Sequence, residues 1–197
     1  QLRWPRSLKA SNAHEAAGNT GGDMEETVLD VPFEFETESL LAALHISSGS
    51  DHAKEFHNLL QAVREIAKPK ALYKVSFIEA KDTDTVTVDD ITFSSRALRK
   101  NLDEVERVFP YIVTCGREVD SIDIPDGDIL ADFWLDRVKE SLLRMAVRFF
   151  IAHLKERFKL DKTSAMSPGS GDANVWPITQ QRELFSLFSD VEAQIGV

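Results

Sequence analysis

Residues 164–188, SAMSPGSGDANVWPITQQRELFSLF, hold the pattern with the most chemistry in it. Pro168 fixes one backbone angle, while Gly169 and Gly171 allow positive φ and lack the Cβ atoms that keep a ligand off the chain. Asp172 offers an acceptor to an ammonium or a ribose hydroxyl, and Trp176 offers a ring face to a flat group or a cation. Together Ser167, Pro168, Gly169, Ser170, Gly171, Asp172 and Trp176 form a candidate binding loop with no group suited to breaking a bond. The bland alternative is a glycine-rich turn that only precedes a helix.

The other reactive residue types point to structural roles. Cys115 ends an apolar strand in TCG, the setting of a buried, inert thiol more often than of a nucleophile. His52 and His57 are five residues apart, so a helix turns them about 140° from one another and cannot use both on one metal. His14 and His45 have no companion at ligand spacing, and His153 follows Phe149 by one turn at the edge of a core. Carboxylates are abundant at Glu118, Asp120, Asp126, Asp128 and Asp132, but the DGD at 126–128 is too short for a calcium loop, and Asp128 suits a helix cap. Neither a phosphate-binding glycine loop nor a Gly-x-Ser-x-Gly elbow is present. No metal site and no catalytic residue is expected.

Composition narrows the setting. The 197 residues are 43% apolar and 28% charged, with a formal charge of −10. Such a surface repels phosphate backbones and anionic lipid, so nucleic acid and membrane are poor partners. No apolar run approaches the roughly 20 residues of a membrane span. A secretory leader is not evident, and a single cysteine cannot form an internal disulfide. A reducing, cytoplasmic compartment is expected.

The elements that must position the loop read as an α+β domain. Residues 1–23, rich in Ala, Ser, Asn and Gly, look like a flexible tail or an expression remnant, leaving 24–197 as the domain. ETVLDVPFEF alternates as a strand, ETESLLAALHI is a short helix, and Phe56, Leu59, Leu60, Val63 and Ile66 mark a second helix capped by Ser50 or Asp51. ALYKVSFIEA, TVTV and ITF are strands with a turn at KDTD, and SSRALRKNL is a serine-capped helical turn. RVFPYIVTCG is a further strand, in which Pro110 suits a bulge or an edge. The longest helix spans about 128–159, with Leu130, Trp134, Val138, Leu142, Met145 and Phe149 on one stripe widened by Phe133 and Phe150. A last helix covers about 178–192.

The stretch SPGSGDANVWPITQQRELFSLF resembles the SPGYGDWPL…LF segment of the activation domain of vitamin B12-dependent methionine synthase and its stand-alone relatives. VLDVPFEFETESLLAALHI, LYKVSFIEA and ITFSSRALRKNL are compatible with the same family, and VTCG stands where it has a Thr-x-Gly turn. The resemblance implies a bent domain with a twisted antiparallel sheet and flanking helices. It also implies S-adenosylmethionine bound at Ser167–Asp172 and cobalamin supplied by a partner. That partner would be a corrinoid protein or methionine synthase modules, with a flavodoxin-type electron donor, so that the domain assists reductive methylation within a methyltransferase system. On this reading the chain belongs to methionine biosynthesis and is not a self-contained enzyme. Relatives continue past the sequence QIGV, which makes a C-terminal truncation an expectation. Two departures matter: the family's arginine two positions before the serine is Ala165 here, and its tyrosine after Pro-Gly is Ser170. They predict weak binding of the cofactor, or, as the alternative function, a non-catalytic docking or assembly module for a corrinoid protein or methyltransferase.

Overall fold

A computed structural model of the chain describes residues 25–169 and 175–197. The tail read from residues 1–23 lies outside the described residues. Among them, Thr27–Asp30 (β1), Lys70–Tyr73 (β2) and Tyr111–Thr114 (β7) form a three-stranded antiparallel sheet in the order β1-β2-β7. Ser76–Lys81 (β3), Thr85–Val88 (β4), Ile91–Ser94 (β5) and Arg107–Val108 (β6) form a four-stranded antiparallel sheet in the order β5-β4-β3-β6. With the helices around them this is the α+β architecture expected.

Two runs that alternate like single strands are each divided between the sheets. Residues 70–81 break at Lys74–Val75, and residues 107–114 break at Phe109–Pro110. Pro110 has no N–H to continue the ladder, but its carbonyl accepts from the Lys74 N–H at 3.2 Å, so the two breaks face each other. One long ladder thereby bends into two sheets. The bend is held from the β4–β5 turn, where Asp89 Oδ2 lies 2.7 Å from Lys74 Nζ and accepts from the fully buried Ser76 hydroxyl at 2.7 Å. Asp89 and Asp90 take positive φ of 47° and 63°, the conformation that joins twisted strands in a two-residue hairpin turn.

Helix starts follow their caps. Ser50 accepts from the Ala53 N–H and opens Asp51–Ile66 (α2), which follows the short helix Thr37–Ala43 (α1). Ser95 opens Arg96–Asn101 (α3) by accepting from Leu98. Asp128 opens Ile129–Phe158 (α4) by accepting from Ala131. The last helix is not continuous. It divides into a 3-10 turn at Ile178–Gln180, Gln181–Ser186 (α5) and Val191–Ile195 (α6). Ser189 is drawn out of helical hydrogen bonding by Glu26, which accepts from its N–H and hydroxyl, and Asp190 then caps α6 through Ala193.

The three-stranded sheet is covered on both faces. Ala71 and Tyr73 pack with Ala146, Phe150 and Leu154 of α4. Leu72 and Ile112, on the other face, pack with Trp176, Leu187, Phe188 and Ile195, and with Val86 and Phe93 of the second sheet. The first half of α4 closes a third cluster with Phe35, Leu41 and the α2 stripe Phe56, Leu59, Leu60 and Val63. Leu130 and Phe133 stay outside these cores, contrary to the stripe read along 130–149. The buried face of α4 follows Trp134, Val138, Leu142, Ala146, Phe150 and Leu154, a ridge at four-residue steps that advances about 40° per step around the helix. Leu130 continues that row by one step and Phe133 lies beside it, but both sit at the exposed start of the helix, beyond the end of the cluster.

Adjacent residues on α4 test this assignment. Leu142→Ala removes a side chain with no exposed surface and should cost about 2–5 kcal/mol, whereas Leu143→Ala, 39% exposed, should cost under about 1 kcal/mol. Urea unfolding of both variants reads the difference, and equal losses would mean that the ridge is misplaced.

Candidate functional site

The candidate loop is closed on itself at its base and tied on its C-terminal side to the edge of the four-stranded sheet. The Gly169 N–H donates to the Trp176 carbonyl at 2.8 Å, and the Ser95 hydroxyl donates to the Val175 carbonyl. Gln180 completes the anchorage as a surrogate strand residue. Its amide N donates to Ser94 O at 3.2 Å, and its amide O accepts from Ser94 N at 3.0 Å and from the Trp176 indole N–H at 3.1 Å. These bonds cap the edge strand β5 and tie it to the start of α5.

Several predicted site residues fall in this assembly. Pro168 is buried, Ser167 is exposed, and Gly169 takes φ of 82°, the positive value expected of it. A Cβ on Gly169 would also meet Ile178 Cδ1 at 2.6 Å. Trp176 is only 5% exposed and sets its ring edge-on to Phe93, 5.8 Å away. Its ring is used in packing rather than presented as a face to a ligand. Ser170, Gly171 and Asp172 lie outside the described residues.

Beside the anchored loop, Ile178, Thr179, Gln181, Arg182 and Glu183 line a cleft of about 480 Å³. Glu183 Oε2 is buried and has no hydrogen-bond partner among the described residues, a costly state for a carboxylate oxygen. Arg182 is exposed and has no ion pair among the described residues. The cleft thus carries an unmet acceptor and a free guanidinium on adjacent residues, suited to the two charged ends of an α-amino acid group. Sequence reading missed both, because Arg182 and Glu183 look like the solvated face of an amphipathic helix. The helical period says which face a residue takes but not that Glu183 is covered.

A larger cleft of about 650 Å³ lies between the end of β1 and the end of α2, lined by residues that include Val31, Pro32, Phe33, Arg64, Lys68 and Pro69. Its cations already have partners. Arg64 donates to the Thr37 hydroxyl at 3.0 Å and lies over the Phe35 ring, and Lys68 lies 3.8 Å from Glu118. Size therefore favours this cleft and unmet polar valence favours the smaller one. The smaller one is the better candidate, because a ligand there satisfies a group the fold leaves wanting.

The other candidates take structural places. Burial pushes the Cys115 thiol up, away from the reactive thiolate. The neighbouring turn is held by the Thr114 hydroxyl, which accepts from Gly116, and a Cβ on Gly116 would meet the Lys68 N–H nitrogen at 2.8 Å. His45, His52 and His57 are exposed, and His14 lies outside the described residues. Among the described residues no group of three or more His, Cys, Asp or Glu side chains is gathered as for a metal ion. No helix among them is long and apolar enough to cross a membrane. No protein-family model matches the chain, and no curated protein matches it significantly.

His153 generates a pH prediction. Its Nε2 lies 3.1 Å from the Tyr73 hydroxyl, and burial, then the charge of Arg157, hold its pKa below the ordinary histidine value. The unfolded chain binds this proton first. The stability held above about pH 6.5 should therefore be lost as the pH falls from there through the folded-state pKa. His153→Gln should flatten that part of the profile in chemical unfolding measured from pH 8 to 5, and an unchanged slope would place the acid sensitivity elsewhere.

Proposed function

We propose that the chain binds S-adenosylmethionine in the cleft beside Gly169 and presents it to a cobalamin carried by a partner corrinoid protein or methionine synthase. The carrying observation is that one cleft is lined both by a buried Glu183 oxygen and by the exposed Arg182, neither with a polar partner among the described residues. Arg182 would pair with the ligand's carboxylate and Glu183 with its ammonium. Gly169 packs its bare Cα against Ile178, which lines the cleft, and so sets the cleft beside the loop. Arg182 would then do the work that the family's arginine does from the position held here by the exposed Ala165.

When bound, S-adenosylmethionine would supply its methyl group as an electron-poor carbon, leaving S-adenosylhomocysteine, to the partner's cobalamin once one electron has reduced its cobalt(II) to cobalt(I). A flavodoxin-type donor would provide the electron. The contribution of this chain is to hold the donor in one orientation and place, which lowers the barrier without an acid or base of its own. The reading sets the protein within a methyltransferase system of methionine biosynthesis, in a reducing cytoplasm.

Isothermal titration calorimetry with S-adenosylmethionine tests it. Binding should appear in the high-micromolar range. Arg182→Ala should weaken it by roughly 10- to 150-fold, the value of a charged hydrogen bond worth about 1.5–3 kcal/mol. Glu183→Gln should weaken binding, because the amide keeps the shape of the side chain but not the charge that would meet the ligand's ammonium. No heat at millimolar ligand would overturn the proposal in favour of a docking or assembly module that keeps the fold without the cofactor.

A further inference from the structure

The start of α4 lies in a different core cluster from the cleft, and nothing in the proposed function uses it. Ile129 is 80% exposed, Phe133 45% and Leu130 42%, within little more than one helical turn. Isolated apolar side chains on a surface need no explanation, but three large ones together do. Carboxylates flank them along the chain, on the 3-10 turn Arg117–Ser121, on the segment that joins it to the helix, and on the helix itself. Asp120 pairs with Lys139 at 2.6 Å, while Asp123, Asp126, Asp132 and Asp136 have no ion pair among the described residues. Arg137 and Lys139 are the cations on this part of the helix, and Arg137 is the one at the apolar group. It lies 5.2 Å from the centre of the Phe133 ring and is paired with Glu140 at 2.8 Å.

Helix electrostatics account for part of this. Acids in the first turn favour the positive end of the helix dipole, which covers Asp128 and Asp132. They do not account for Asp136, two turns in, nor for large apolar side chains placed in water beside those acids.

We infer that the first turns of α4 are a docking surface for an amphipathic helix of a partner protein, one that sets Leu or Phe beside Lys or Arg. The apolar anchors of such a helix cover Ile129, Leu130 and Phe133, and its flanking cations meet Asp132 and Asp136 and the acids before the helix. An acidic or uncharged amphipathic helix would bury the same apolar area but leave the carboxylates facing like charge or nothing. Charge complementarity therefore selects the basic class.

The test uses the full chain and a fluorescent helical peptide of leucine and lysine, with a second peptide in which glutamate replaces lysine. Fluorescence anisotropy should show binding of the lysine peptide, weakened by salt, and none of the glutamate peptide. Ile129→Ser with Phe133→Ser should weaken binding at least about tenfold. Asp132→Asn with Asp136→Asn should weaken it less and flatten the salt dependence. All four positions are exposed, and circular dichroism should show the fold of each variant intact. Equal binding to the wild type and the serine variant would overturn the assignment, as would equal binding of the two peptides. A dimer of the chain alone in sedimentation velocity, dissociated by Phe133→Ser, would also overturn it by assigning the face to a second copy. Titration of S-adenosylmethionine should be indifferent to these substitutions, which separates this inference from the cofactor reading.

Discussion

The bend at Lys74–Val75 and Phe109–Pro110 is the constraint on which the remaining architecture depends. A straight ladder from residue 70 to 81 would present one pair of faces along its whole length. Because Pro110 cannot donate and the Asp89 carboxylate grips Lys74 and Ser76, the ladder turns, and each half offers its own faces for covering. The long helix takes one face of the first sheet. The segment from Trp176 to Ile195 takes the other and continues onto the second sheet. The cleft exists because this segment must cross from β5 to β2, changing direction at Pro177, Ser189 and Asp190 as it goes.

Lys74 and Asp89 illustrate how such a constraint is sustained. A charged pair taken largely out of water returns its desolvation cost only when the geometry is good and further hydrogen bonds are made. Here the Lys74 side chain is 11% exposed, and the same Asp89 oxygen also takes the proton of the buried Ser76. The pair therefore buys little net stability but fixes which turn faces which break. An apolar contact in its place would tolerate sliding.

Local signals were legible in the sequence and long-range ones were not. The caps at Ser50, Ser95 and Asp128 lie within three residues of the amides they accept from, so composition and spacing reveal them. The bounds of the long helix and the positive φ of Gly169 follow from the same short-range chemistry. By contrast, the break between α5 and α6 depends on Glu26, more than 160 residues away, and could not be seen in the pattern of residues 178–192. Leu130 and Phe133 fit the apolar stripe by spacing, yet they sit at the exposed start of the helix, beyond the end of the cluster. Trp176 has the composition of a ligand platform but is drawn into the core by Phe93 and Gln180. Arg182 and Glu183 have the composition of a solvated face, and only the packing of α5 makes one of them a buried acceptor.

The most direct test of the proposed cofactor site is a titration of the isotope-labelled chain with S-adenosylmethionine, followed by amide chemical shifts in two-dimensional NMR. The account predicts that the largest progressive shifts fall at Gly169, Ile178, Arg182 and Glu183, with Val31, Phe33 and Lys68 of the larger cleft unmoved. Shifts concentrated at Val31, Phe33 and Lys68, or none at any ligand concentration, would contradict it.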